Sequence, residues 1–286
     1  MVKKLHEMTF TIIGIGQIGG SFALSLKKNQ IGKKIIGVDK KNVTQKLSGT
    51  TAFDSLTTEL DPSIQEADFI FLSVPVLSIL SLLPQIIPKM KPGALLLDSG
   101  STKRSIVTLM AKYPDKILIG GHPIAGKEKP GFDSASSILL EEKLFALVFP
   151  TKESQQGKQT VLTILKKMSI IPFEISEEKH DFIVSLTSHL PYVLSLTLSF
   201  LADEFFSKDV LFKKFVSSGF LGNSRLSFTQ KEMGKGILMS NTHHITQLID
   251  EYIDRLGYLK GLIKQEDEKK LGIFLDRINR FQVDLE

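Results

Sequence analysis

The sequence of 286 residues has no cysteine, no tryptophan and only 4 tyrosines. Without cysteine, disulfides, thiolate nucleophiles and Cys-ligated metal centres are all excluded. The same absence agrees with a reducing cytoplasm, the location expected for the chain. Long apolar runs are missing too: none reaches, uninterrupted, the roughly 20 residues that a bilayer demands. The N-terminal "MVKKLHEMTFTIIGIG" places basic residues before an apolar run, but that run is about seven residues long and leads into glycines rather than a small-residue cleavage site. It therefore reads as a first strand. Charge of one sign is not concentrated anywhere, since the net +5 is the balance of 36 basic and 31 acidic residues spread along the chain. No dense basic stripe or recognition motif marks a nucleic-acid partner, and small anionic ligands suit the charge as well.

What is present is the composition of a globular protein, 42% hydrophobic and 23% charged, which argues against a disordered or fibrous chain. The length accommodates two domains of ordinary size. From residue 8 to about 174, short β-rich apolar runs alternate with segments of helical period, the pattern of a parallel sheet covered by helices. Strands are expected at 9–15, 34–39, 68–74, 94–99, 116–121, 144–149 and 169–175. Several are apolar on both faces, as buried parallel strands must be. Crossover helices are supplied by "IGGSFALSLKKN", "VLSILSLLPQIIPKM" and "SQQGKQTVLTILKKM".

After residue 175 the strand signals stop. "SEEKHDFIVSLTSHLPYVLSLTLSFLADEFF" opens with a Ser N-cap followed by Glu and continues as a long apolar helix. Such a helix is too apolar for a solvated surface and must pack against something, a second copy of the chain included. The expected architecture is thus α/β: a Rossmann-type dinucleotide-binding domain over residues 1–172, followed by an all-α dimerisation domain over residues 173–286.

The clearest chemical motif is "GIGQIG", with Gly14, Gly16 and Gly19 in G-x-G-x-x-G spacing after a strand and opening a helix, together with Gln17 and Ile18. The first glycine permits the tight turn, the second lets a pyrophosphate approach the backbone, and the third allows close helix–strand packing. Asp39 ends the second strand 20 residues beyond Gly19, where an acid binds the adenosine ribose hydroxyls. Asp39 favours NAD by repelling a 2′-phosphate, while Lys40 and Lys41 beside it leave NADP open.

Ser73 and Pro75 in "SVP" close the third expected strand, and "DSGSTK" closes the fourth; strand C-termini are where an open α/β sheet holds its ligand. Ser101 and Lys103 then face the nicotinamide crevice. A second reading has Ser101 or Thr102 capping the helix that starts near 103. His122, at the end of the fifth expected strand, lies in the same crevice. As a neutral imidazole it can accept a proton from a substrate hydroxyl as hydride leaves the same carbon; as a lone histidine it can equally be structural.

In the helical half, "TSHLPY" puts His189 before a helix-kinking Pro191, either at an opened site or satisfied by the carbonyl that the proline frees. Arg225, alone among small and apolar residues, is suited to a bidentate grip on a carboxylate. His180 with Asp181 is expected to order the helix start. His243 and His244 lack metal-ligand spacing with another histidine or acid, so no metal is expected.

These motifs resemble those of the prephenate and arogenate dehydrogenases, enzymes of tyrosine biosynthesis. The resemblance is carried by "GIGQIGGSFALSLK", "DFIFLSVP", "DSGSTK", "GGHPIAGKEKPGF", "EEKHDFIVSLTSHLPY" and "GF…SR", which together span residues 9–241. It implies NAD-linked oxidative decarboxylation, with His122 accepting the ring hydroxyl proton and Ser101 orienting substrate and cofactor. It also implies that Arg225 holds a substrate carboxylate, that His189 lines the pocket, and that the helical domain forms a homodimer. Two departures stand out. Met233 is followed by Gly234 where many relatives carry tryptophan, so an aromatic contact near the substrate is expected to be absent. No ACT or chorismate mutase segment is expected within the chain, so tyrosine feedback would act at the active site. The other readings are a 3-hydroxyacid or imine reductase, which predicts a catalytic lysine such as Lys179 in the long helix, and a dinucleotide sensor without chemistry.

Overall fold

The computed structural model describes residues 4–126 and 131–283. The first strand, β1 (Thr9–Ile13), leads into α1 (Gln17–Lys28), followed by β2 (Lys34–Val38), α2 (Lys41–Lys46), β3 (Ser55–Thr57), α3 (Leu60–Glu66) and β4 (Phe69–Leu72). The chain continues through α4 (Val76–Ile86), β5 (Leu95–Asp98), α5 (Arg104–Met110), β6 (Ile117–Pro123), β7 (Leu144–Val148), α6 (Lys152–Gln156), α7 (Lys158–Lys167) and β8 (Ile171–Glu174). These strands form one eight-stranded sheet in the order β3-β2-β1-β4-β5-β6-β7-β8. The first six strands reproduce the doubly wound order of dinucleotide-binding sheets, with the reversal of direction between β1 and β4.

Alternation along the strands sends side chains to two cores. Phe10, Ile12, Phe69 and Phe71 join Phe22 of α1 on one face, where the Phe22 and Phe71 rings stack at 4.0 Å. Ile13, Ile70 and Leu72 join Ile79 and Leu83 of α4 on the other. Burial on both faces explains why these strands read as unbroken apolar runs.

Two features depart from the expected sheet. The edge strand β3 is three half-buried residues, "SLT", too short and too polar to stand out as a strand in sequence. β7 pairs antiparallel with β6, with Gly121 opposite Leu147 and His122 opposite Ala146, whereas all strands were expected parallel. Among the described residues between them there is no crossover helix, only the short 3₁₀ turn Phe132–Ser134, so the chain returns alongside β6 in the opposite direction. β8 is again parallel to β7, after a connection through α6 and α7.

Beyond Glu174 the described chain is helical. Ser176 caps α8 (Glu177–Val184) by accepting a hydrogen bond from Lys179 N–H, as its position predicts. A π-helical turn, Ser185–His189, joins α8 to α9 (Leu190–Phe206). Pro191 supplies no N–H to the carbonyl one turn back, and the Leu190 N–H reaches Ser185 instead, widening the helix by one residue at His189. The run Glu177–Phe206 is long and apolar enough to cross a bilayer, which corrects the expectation that no segment reaches that span. The polar residues that interrupt it, His180, Asp181, Ser185 and His189, are buried in the protein. Phe200, Leu201 and Phe205 of α9 stay exposed. Three shorter helices follow: α10 (Leu211–Lys214), α11 (Ser218–Ser224) and α12 (Lys231–Ser240).

The chain divides into two compact units between Asn241 and Thr242. The second contains α13 (Thr242–Gln265) and α14 (Glu268–Val283), joined through Glu266 at φ +50° and in contact through the Tyr258 and Phe274 rings. Leu256, Ile273, Ile278 and Phe281 are among its exposed apolar residues.

Candidate active site

The C-terminal ends of β1, β2, β4, β5 and β6 bring the expected cofactor residues together. Gly14 follows β1 at φ +91°, and a β-carbon there would collide with the Ser73 carbonyl at the end of β4. That backbone conformation and that closeness admit only glycine. Gly16 caps α1, and a β-carbon on it would meet no protein atom within 4 Å. Gly19, in the first turn of α1, packs against the Gly14 carbonyl. Gln17 and Ile18 open α1 beside them, and Pro75 caps α4 at the mouth of the same crevice. Asp39 follows β2, and its carboxylate accepts hydrogen bonds of 2.7 Å from Ile15 N–H in the glycine loop and of 2.7 Å from Lys40 N–H. An open glycine-lined cradle at a helix N-terminus, with an acid at the end of the adjacent strand, fits a dinucleotide with free ribose hydroxyls.

His122 lies within β6 rather than at its end, since the strand runs to Pro123. It is half-buried, and Lys127 to Pro130 of the motif after it lie outside the described residues. Its Nδ1 is 2.9 Å from His180 Nε2, and His180 Nδ1 is 2.7 Å from Asp181 Oδ1. Asp181 also accepts from the Lys103 and Arg104 N–H groups, at 2.7 and 2.9 Å. Burial works to raise the Asp181 pKa, but the hydrogen bonds from His180, Arg104 and Lys103 outweigh it and hold the carboxyl below its ordinary value. An ionised Asp181 accepts from His180 Nδ1–H, which leaves His180 Nε2 to accept from His122 Nδ1–H. The lone pair of His122 is then on Nε2. Burial, followed by the charges of His180, Lys103 and His189, depresses the His122 pKa well below 6.5, so the ring is a neutral base at neutral pH.

This network replaces two sequence readings. His180 and Asp181 do not merely order a helix start: they connect α8 to β6 and α5. Neither Ser101 nor Thr102 caps α5, whose first N–H groups go to Asp181, while the Thr102 hydroxyl lies 2.7 Å from that of Ser240. Ser101 is half-buried in the turn after β5.

His189 is buried against Asn241, whose Nδ2 donates to the Asp181 carbonyl at 2.8 Å and lies 3.2 Å from His189 Nδ1. An amide N–H aimed at Nδ1 places the His189 proton on Nε2. Burial pushes its pKa down to about 4, against the pull of Asp181. Arg225 begins the exposed turn Arg225–Phe228, anchored by the Ser227 N–H to Ser195 Oγ of α9 at 2.9 Å. Lys179 is exposed on the first turn of α8. Gly234 on α12 is filled from outside: a β-carbon there would collide with the Tyr192 hydroxyl. An aromatic ring therefore occupies the space beside Gly234, where the resemblance implied the loss of an aromatic contact. No group of three metal-ligating side chains is gathered among the described residues.

His180, Asp181, Asn241, Tyr192 and Asp98 escape recognition from sequence as site residues, and Lys103, expected to face the nicotinamide crevice, is instead fully buried against Asp98 and the Gly121 carbonyl. The one local signal was the adjacent His-Asp at a helix start.

Comparison with known proteins agrees with this arrangement. A family model described as prephenate dehydrogenase, nucleotide-binding domain, matches residues 22–170, and one described as prephenate dehydrogenase, dimerization domain, matches residues 176–276. A prephenate dehydrogenase of Bacillus subtilis is 30% identical over 93% of the chain and 74% of its own length. The crystal structure of prephenate dehydrogenase from A. aeolicus in complex with hydroxyphenyl propionate and NAD+ superposes with a TM-score of 0.92 at 27% identity, covering 99% of this chain and 100% of that one. The arogenate dehydrogenase of Synechocystis gives 0.80 at 26% identity, covering 98% of this chain and 100% of that one.

Proposed function

Because the chain belongs to the prephenate dehydrogenase family, we propose that it catalyses the NAD-dependent oxidative decarboxylation of prephenate to 4-hydroxyphenylpyruvate, a step of tyrosine biosynthesis. The observation that carries this reading is the hydrogen-bonded series His122–His180–Asp181, which joins β6 to α8. Gly14, Gly16, Gln17, Ile18, Gly19, Asp39, Ser73 and Pro75 would hold the cofactor, with Asp39 on the adenosine ribose. NAD, when bound, accepts the hydride from the ring carbon that bears the hydroxyl.

His122 Nε2 takes the hydroxyl proton, and His180 with Asp181 stabilises the imidazolium that results. The ring ketone so formed is conjugated with the two ring double bonds, whose far ends flank the saturated carbon that bears the carboxylate, so the electrons released with carbon dioxide can flow to the ketone oxygen. Loss of carbon dioxide restores aromaticity and leaves a phenolate, to which His122 can return its proton. Ser101 orients the reacting groups, Arg225 grips a substrate carboxylate, and His189 donates from Nε2–H as a neutral group. The same residues suit arogenate, and the likeness to the Synechocystis arogenate dehydrogenase supports it as the second substrate to try. NADP stands in the same relation to NAD, through Lys40 and Lys41.

Residues 1–172 are assigned to dinucleotide binding and 173–286 to substrate binding and dimerisation, supported by the break between the two family models at 170 and 176. The exposed apolar residues of α9, α13 and α14 support a homodimer, and a cytoplasmic site of action follows from the biosynthetic role.

Replacing His122 by Asn keeps the size of the side chain and removes the base. The variant should lose at least about a hundredfold in kcat while its Kd for NAD stays the same. A variant with undiminished kcat would remove His122 from the chemistry.

A further inference from the structure

Asp98 and Lys103 are both fully buried, at 0% exposure, and the proposed chemistry uses neither. They pair with each other, and both hold Gly121, the residue directly before His122. The Lys103 ammonium donates to Asp98 and, at 2.5 Å, to the Gly121 carbonyl, directly before His122. Asp98 in turn accepts from Gly121 N–H at 3.0 Å and from Gly100 N–H at 2.7 Å. The peptide groups on both sides of Gly121 are thereby fixed. A β-carbon on Gly121 would collide with the Asp98 carbonyl, so the two strand ends are also closely packed. From its backbone, Lys103 donates a 2.7 Å bond to Asp181, the carboxylate that orients His180 and through it His122 Nδ1.

We propose that Lys103 is a positioning residue for His122, holding it through the backbone by its ammonium on Gly121 and Asp98, and through the ring by its N–H on Asp181. The proposal rests on His122 being the base. A buried ion pair serving stability alone can be exchanged for neutral groups of similar volume at little cost or with a gain. A positioning pair cannot, since a misplacement of about 1 Å at a reacting group costs on the order of a hundredfold in rate.

The test is Lys103→Met, with Lys103→Met/Asp98→Asn as the charge-balanced second variant, each checked for native fold by circular dichroism. Wild type and His122→Asn are assayed with prephenate and NAD beside them. In the folded variants kcat should fall about a hundredfold with KM for NAD unchanged. In Lys103→Met, where Asp98 keeps its charge, the acid limb of the kcat–pH profile should also move to higher pH. The charged and titratable groups facing His122 are His180, His189, Asp181 and Lys103, and only Lys103 is removed from that set.

A folded double variant with wild-type kcat would overturn the proposal. So would loss of fold in both variants, which would make the pair purely structural. Wild type without turnover, or an active His122→Asn, would instead count against the proposed function itself.

Discussion

In the proposed mechanism His122 is the base, a role for which its neighbours keep it neutral. With its pKa well below 6.5, first through burial and then through the charges of His180, Lys103 and His189, kcat should be level across neutral pH. It should decline only well on the acid side of pH 6.5, where Nε2 already carries a proton and cannot accept the one from the hydroxyl. His189 carries the stability counterpart. Its pKa is about 4 in the folded protein against a reference value of 6.5, so below 6.5 the unfolded chain binds the proton first. The stability associated with neutral His189 is complete above pH 6.5 and is lost as pH falls toward 4, by on the order of 3 kcal/mol. Urea midpoints measured at about pH 7 and about pH 4.5 should therefore converge less in wild type than in His189→Gln, whose acid loss is shallower; equal acid losses would contradict the buried neutral state. At this scale the glycine loop, Asp39 and His122 were legible because each sits at a recognisable point of a strand–turn–helix unit. His180, Asp181 and Asn241 were not, since their role depends on meeting β6 and α9 across distances that no local pattern encodes.

Among the elements, α12 and α9 meet where a glycine leaves room for a tyrosine. Gly234 on this helix lets the Tyr192 hydroxyl from α9 come close enough that a β-carbon would collide with it. The tyrosine is buried, and loss of solvation raises its pKa. Gly234→Ala should destabilise the fold by about 1–3 kcal/mol through overpacking. Tyr192→Phe, which removes the colliding oxygen, should relieve part of that cost in the double variant. Additive effects in urea unfolding would deny the contact. The sequence read Gly234 as the loss of an aromatic contact, because it registers which residue is absent and not which one moves in. For the strands, unbroken apolar runs flagged the buried ones correctly. The edge strand β3 and the reversal at β7 were not legible, the first because three half-buried residues bear no pattern, the second because strand direction depends on what connects the strands. The split of the long helix at Ser185–His189 was partly legible in Pro191, although the π-turn form it takes was not.

At the scale of the whole molecule, strands give way to helices after Glu174, but the compact units divide between Asn241 and Thr242, so α8 to α12 belong with the sheet and only α13 and α14 stand apart. Exposed apolar residues on α9 and on the pair α13 and α14 suit the proposed homodimer, since an obligate interface resembles a core cut in half. Light scattering at micromolar concentration should give twice the mass of the chain, and a monomer mass would remove the dimer. The most direct measurement is NADH or NADPH formation by the intact enzyme with prephenate and with arogenate, each offered with NAD and with NADP. The account predicts turnover of prephenate with NAD. Dinucleotide bound without turnover of either substrate would contradict it.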